Sequence, residues 1–239
     1  MNSRLLDKLK EFRCPAETEI PKEFLVVAQL TGIDFEGIFN SPEFEVENAF
    51  DARFGKMMVH TASHLLGGDA CGLLGYTELT QLCLLLDHRA VSRRWTDPTD
   101  LQNYLVGLAS AKMTLLLEEE ALFICRLYAF PNAALVGGYF VWRQQEAYLN
   151  ALNGYCRLVL GRKGSAEQAD NLIAGLGPEE KEEILRQNDI DYESIPAWQR
   201  YGASVHLGTD GEVNIDTVLP TDVAFGEYAT QYLAKVKTD

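Results

Sequence analysis

The sequence predicts an α+β fold of ferredoxin-like type, an antiparallel sheet packed by helices. Three observations carry that expectation. Phe24–Leu30 (FLVVAQL) is an unbroken apolar run, as expected of a strand buried on both faces. The elements then read strand, helix, paired strands, helix, strand, which is the order of a ferredoxin-like sheet. After them, Tyr139–Asn153 (YFVWRQQEAYLNALN) places apolar residues along one face and Arg, Gln, Glu and Asn on another, the pattern of a long helix from about Gly138 to Leu160.

Met1–Phe12 is expected to form a short amphipathic helix stopped near Cys14-Pro15, with Pro21 before the first strand. An acidic loop runs to Pro42. Phe50-Asp51 opens a helix to about Leu66, ended by Gly67-Gly68. Cys71–Tyr76 and Thr80–Leu86 form the strand pair. Asp97-Pro98-Thr99 caps a helix to Leu117, and Leu122–Ala129 is the next apolar strand. Pro131-Asn132 turns into the Trp142 helix. Ser165–Ala174 and Glu179–Arg186 are short helices separated by Gly175, Gly177 and Pro178. Ser204–Leu207 and Glu212–Val218 flank Thr209-Asp210-Gly211, a hairpin signal. Thr221-Asp222 caps a last helix reaching Lys237.

With 239 residues, 47% of them hydrophobic, the chain has ample core for one large domain or two small ones. It lacks an 18-residue apolar run, and MNSRLLDKLKEF is charged, so neither a membrane span nor a secretory signal is expected and the expected location is cytoplasmic. Cys14, Cys71, Cys83, Cys125 and Cys156 have no CxxC spacing and read as reduced residues. The net charge of −14 argues against tight, independent RNA binding, since cationic contacts to phosphate dominate that affinity. His60 and His64 share a helix face but lack a third ligand, so packing or capping is the expected role.

WRQQEAYLNALN, followed by GLGPEEKEEILRQNDIDYESIPAWQRYG, resembles the tRNA(His) guanylyltransferase-like 3′-to-5′ polymerases. That family carries W-R-Q-x-D-A-H-R-N-A-L-N, then G-L-S-x-x-x-K-N-E-L-L, then P-A-W-Q-K-R-G. The resemblance spans roughly Glu23 to Gly202. It implies a polymerase palm with a helical C-terminal layer, to which the chain adds the small C-terminal hairpin plus helix read above, beyond the resemblance. The division it suggests is 1–160 as palm-like domain, 161–202 as a helical segment packed on it, and 203–239 as an extension.

A palm transfers nucleotides with two metal ions held by strand carboxylates. The family's first motif, R-x-D-G-R-x-F, aligns with Gln29-Leu30-Thr31-Gly32-Ile33-Asp34-Phe35. Its second, G-Y-T-Q-S-D-E, aligns with Gly75-Tyr76-Thr77-Glu78-Leu79-Thr80-Gln81. The carboxylate positions are therefore Thr31, Thr80 and Gln81. Further departures are Asn48 for a basic residue, Ile124 for an Asp beside retained Arg126, Tyr148 for the helix His, and Arg200-Tyr201 for Lys-Arg. Gly32, Arg126, Arg143, Gln144, Asn150, Lys181 and Arg200 are the positions the resemblance leaves for nucleotide or RNA contact.

The resulting reading is a catalytically degenerate relative, a pseudoenzyme acting as an RNA- or nucleotide-binding or partner subunit in tRNA processing. It would be oligomeric, with itself or with an intact paralogue, and would need no cofactor. The alternative is an active tRNA guanylyltransferase-like 3′-to-5′ nucleotidyltransferase for 5′-end addition or repair. It would use Mg²⁺ with ATP or GTP at displaced carboxylates Asp34 and Glu78, with Glu78 expected on the same strand face as Thr80. A third reading is a nucleotide-binding regulator without an RNA role.

Overall fold

The first strand explains most of the architecture. In a computed structural model describing residues 8–14, 19–35, 49–162 and 165–235, β1 is Leu25–Ile33 and lies inside a six-stranded sheet. Val26, Ala28 and Leu30 point into one core and Val27 into the other, so the run has no polar alternation to show. The strand order is β4-β1-β3-β2-β5-β6, every neighbour antiparallel, with β2 at Gly72–Glu78, β3 at Gln81–Leu86, β4 at Leu122–Phe130, β5 at Ala203–Leu207 and β6 at Val213–Asp216.

Three helices cover the first face. α1, Ala52–His64, starts where the Asp51 carboxylate accepts from the Arg53 and Phe54 amides, and it buries Phe54, Met58 and Ala62. A short helix not anticipated from the sequence follows β3: α2, His88–Arg94, is capped by Asp87 and buries Val91. No glycine or proline separates it from the strand, so its signal merges with β3. α3, Pro98–Leu117, begins at Asp97 with proline in its first turn and ends at Glu118, which adopts φ 60.

The opposite face is covered by α4, Ala133–Gly161. It starts five residues before Gly138 because Asn132 caps the Leu135 amide, bringing Gly137 and Gly138 inside the helix. Gly137 then meets Gly226 of α8, Asp222–Thr230. A Cβ on either would come within 3.3 Å of the other's carbonyl oxygen, so the two helices pack backbone to backbone. At its far end α4 packs Ala151, Tyr155, Cys156 and Val159 against α5, Ala166–Ile173, and α6, Pro178–Arg186. α7, Ala197–Tyr201, leads through Gly202 into β5, which pairs with β2. The hairpin after Gly202 thus continues the same sheet. Gly202 has φ +78, and a Cβ there would lie 2.6 Å from the Thr77 carbonyl oxygen.

One expectation about facing is corrected. β2 ends at Glu78, Leu79 (φ 48) and Thr80 form the turn, and β3 begins at Gln81. Glu78 therefore shares its face with Gln81, its cross-strand partner, and Thr80 lies in the turn. All five cysteines are free, and no described helix is long and apolar enough to cross a membrane. The expected N-terminal helix before Lys8, the acidic loop to Pro42 and Asn48 lie outside the described residues.

Candidate functional site

Strand register brings the aligned positions together. Ile124 of β4 pairs with Thr31 of β1, Thr31 with Gln81 of β3, and Gln81 with Glu78 of β2. Directly paired residues share a face, so these four form one rung beneath α4. The next rung is Arg126, Gln29, Cys83 and Tyr76. Of the aligned positions, Thr31, Gln81 and Ile124 thus lie in one row with Glu78, whereas Thr80 lies in the turn.

A polar chain crosses this row. The Tyr128 hydroxyl donates to Gln29 Oε1 (3.1 Å), Gln29 Nε2 donates to Gln81 Oε1 (2.7 Å), and Arg143 Nη2 donates to that same oxygen (2.8 Å). Arg143 Nη2 also pairs with Glu78 Oε1, and Asn150 reaches the same carboxylate. Arg143 and Glu78 are 3% and 5% exposed, so this is a buried ion pair. It is incompletely satisfied: Glu78 Oε2 and Arg143 Nε have no hydrogen-bond partner. Burial pushes the Glu78 carboxyl up to about 7, against the pull of Arg143 and Asn150. Burial also disfavours charge on Arg143, but Glu78 and the neighbouring Cys83 and tyrosines more than offset it and keep the guanidinium protonated.

The site does not suit a pair of divalent ions. Thr31 and Gln81 are neutral, Ile124 is apolar, and the adjacent cation is a guanidinium, whereas Mg²⁺ needs charged oxygen to compensate its dehydration. Asp34 lies exposed beyond the end of β1 with φ 55, and Glu78 is committed to Arg143. No group of three or more His, Cys, Asp or Glu suited to a metal occurs among the described residues. His60 and His64 both lie exposed on α1. Beside Thr31, the sheet surface beyond α4 is apolar, with Ile33 paired to Leu122 and both exposed together with Ile124.

The other aligned residues are placed as follows. Gly32 donates its amide to Thr80 (2.9 Å), and a Cβ there would collide with the Phe35 ring. Gln144 is buried and donates to the Pro220 carbonyl (2.9 Å), tying α4 to the segment before α8. Lys181 is buried on α6, where its carbonyl accepts from Cys156 Sγ. Arg200 is buried, bonded to Ile195 and Glu193, and lies over Tyr192 and Tyr201. Two departures from the motif touch each other: Tyr148 and Tyr201 stack with ring centroids 5.9 Å apart. Trp142 packs against the α4-side core with the Arg143 guanidinium 4.9 Å from its ring, while its indole nitrogen has no partner. Sequence reasoning missed Tyr128 as a member of the buried chain and Cys83 as its neighbour on the next rung. Their signal was a polar-capable residue every second position on strands otherwise apolar.

No family model matches the chain. Among curated relatives it is 32% identical over 82 residues to tRNA(His) guanylyltransferase 2 of Arabidopsis thaliana, which covers 34% of this chain and only 15% of that one. It is 25% identical over 187 residues to the tRNA(His) guanylyltransferase of Debaryomyces hansenii, covering 72% and 69% of the two chains. Among solved structures, a bacterial tRNA(His) guanylyltransferase-like protein in complex with ATP superposes with a TM-score of 0.74 at 17% identity, covering 97% and 98%. The Saccharomyces cerevisiae tRNA(His) guanylyltransferase gives 0.68 at 19% identity, covering 82% and 90%.

Proposed function

We propose, for a chain that belongs to the tRNA(His) guanylyltransferase-like family, a binding role without nucleotidyl transfer: a catalytically degenerate subunit that engages RNA, a nucleotide or an intact paralogue. The observation that supports this is the rung itself. Ile124, Thr31 and Gln81 stand where the family motif has carboxylates, and Arg143 adds a fixed positive charge beside them. A divalent ion brought to this row meets neutral oxygens and a like charge in a low-dielectric setting, where both the missing attraction and the added repulsion are large. The burial of Arg143, Gln144, Lys181 and Arg200 supports reading them as an internal frame that holds the palm to its helical layer.

Two structural neighbours are described in complex with ATP and GTP, which makes these the first nucleotides to try. The test is incubation of the purified chain with Mg²⁺ or Mn²⁺, labelled GTP and ATP, and a 5′-truncated tRNA. The expected result is binding without extension of the RNA. Extension that disappears in both Asp34→Asn and Glu78→Gln would replace this reading with that of a displaced-carboxylate transferase.

A further inference from the structure

The two edges of the sheet are finished differently. Along β4, residues 12–14 add a short pairing: Arg13 bridges Tyr128, the Cys14 amide donates to the Leu127 carbonyl, and the Ala129 amide donates to the Phe12 carbonyl. Along the outer side of β6, no strand pairs among the described residues. The hairpin turn sets which backbone groups that edge presents. The Gly208 amide donates to the Glu212 carbonyl (2.8 Å), and bonded pairs alternate with non-bonded ones in an antiparallel ladder. His206–Asn214 and Ser204–Asp216 are therefore the bonded pairs, and Val213 and Ile215 turn their N–H and C=O groups away from β5. A row of such groups is a template for a further strand.

The two faces of this edge differ in chemistry. Val213 and Ile215 share one face and are 41% and 48% exposed. On that side Ile215 lines a cavity of about 540 Å³ against α1, whose lining includes the cationic Lys56. Glu212 and Asp216 share the opposite face, where the Tyr228 hydroxyl of α8 donates to Asp216 Oδ2 (2.6 Å). Residues 203–231 carry five carboxylates (Asp210, Glu212, Asp216, Asp222 and Glu227) and neither lysine nor arginine. A second copy does not suit this edge. Pairing Val213 of one copy with Ile215 of another sets Glu212 opposite Asp216, like charge against like. A strand with apolar side chains toward α1 and Lys or Arg toward α8 matches both faces.

We propose that the free edge of β6 is a docking site for an extended basic segment of a partner protein, added as a further strand in which apolar residues alternate with Lys or Arg. The edge lies at the opposite side of the sheet from Thr31 and Ile124, on β1 and β4, so the proposal stands whether or not the chain transfers nucleotides.

Fluorescence anisotropy on the full chain tests it with a short labelled peptide of strictly alternating Lys and Val, and with an isomer of the same composition whose lysines and valines form two blocks. The expected result is saturable binding of the alternating peptide at least tenfold tighter than of its isomer, weakening as salt is raised. Val213→Pro removes an outward N–H and no bond to β5, so it should weaken binding at least tenfold with circular dichroism unchanged. Glu212→Lys reverses an exposed charge without touching the ladder and should weaken binding at least threefold, which keeps the test decisive should proline disturb the hairpin. Equal affinity for the two peptides, no saturable binding, or affinity unchanged in Glu212→Lys or in a folded Val213→Pro overturns the proposal. A dimer seen by light scattering that Val213→Pro dissolves would assign the edge to a second copy and would also overturn it.

Discussion

Replacing Arg143 with methionine keeps the volume of the side chain and removes its charge, leaving Glu78 buried with Asn150 as its remaining donor. Breaking one side of a buried pair costs about 3–5 kcal/mol, a large part of the ~5–15 kcal/mol that holds a domain folded. Glu78→Gln is expected to cost less, because the amide oxygen still accepts from the guanidinium. The double variant Arg143→Met/Glu78→Gln removes both charges and should recover much of the loss. The assay is a urea-unfolding cycle on the four proteins at pH 8, where the carboxyl titrating near 7 is mostly ionised. The expected coupling is at least about 2 kcal/mol, well beyond the roughly 0.5 kcal/mol within which independent sites add. Additive single variants would refute the reasoning, since the two side chains would then not be acting as one pair.

Wild-type stability should also fall with rising pH. Burial raises folded Glu78 from 4.5 to about 7, so between those values the folded chain holds a proton the unfolded chain has released. The group's contribution is full below about pH 4.5 and lost as pH rises through about 7, an effect of about 3 kcal/mol that Glu78→Gln should abolish in urea melts from pH 5 to 8. Mn²⁺ relaxation measurements should show no two-ion binding in the wild type, and a pair of ions bound at millimolar metal would contradict the fit drawn from Thr31, Gln81 and Ile124. Gly202→Ala should lower stability by about 1–2 kcal/mol or more, from the strain of φ +78 and the clash with Thr77. A double-variant cycle on Tyr148→Ala and Tyr201→Ala should return a coupling of about 0.5–1.5 kcal/mol, and zero coupling would mean the stack contributes nothing.

The elements with their own local chemistry were legible. Asp51, Asp97 and Asn132 cap helices, and the apolar period of β1 and β4 marks buried strands. The motif frame was legible too, because register in a twice-buried strand is fixed by which side chains face each core, and this set Thr31 opposite Gln81 and Ile124. Glu78 was misjudged because strand alternation was carried through what is a two-residue turn. The buried state of Arg143, Gln144, Lys181 and Arg200 was also hidden. Cationic and amide side chains read as surface unless their partners are known, and those partners are 65 residues away for Arg143 and 76 for Gln144. The cavity was invisible for the same reason, since five separate segments line it.

The substitutions in the row make sense together on electrostatic grounds. Carboxylates at positions 31, 81 and 124 would sit on directly paired positions of adjacent strands, where like charges are destabilising unless a bound cation offsets them. With divalent ions the row is satisfied; without them it is a cluster of mutually repelling acids at a half-buried sheet surface. Threonine, glutamine and isoleucine remove that repulsion, and Gln81 goes further by bridging Gln29 to Arg143. The one acid on the rung, Glu78, lies at the strand end nearest Arg143, so the cation beside it is supplied by α4 itself. A guanidinium delivers one charge through a fixed fork and cannot exchange with solvent ions, so it can hold the sheet to the helix but cannot open coordination positions to a triphosphate. On the proposed reading, the geometry that holds this palm together is therefore the geometry that closes its metal site.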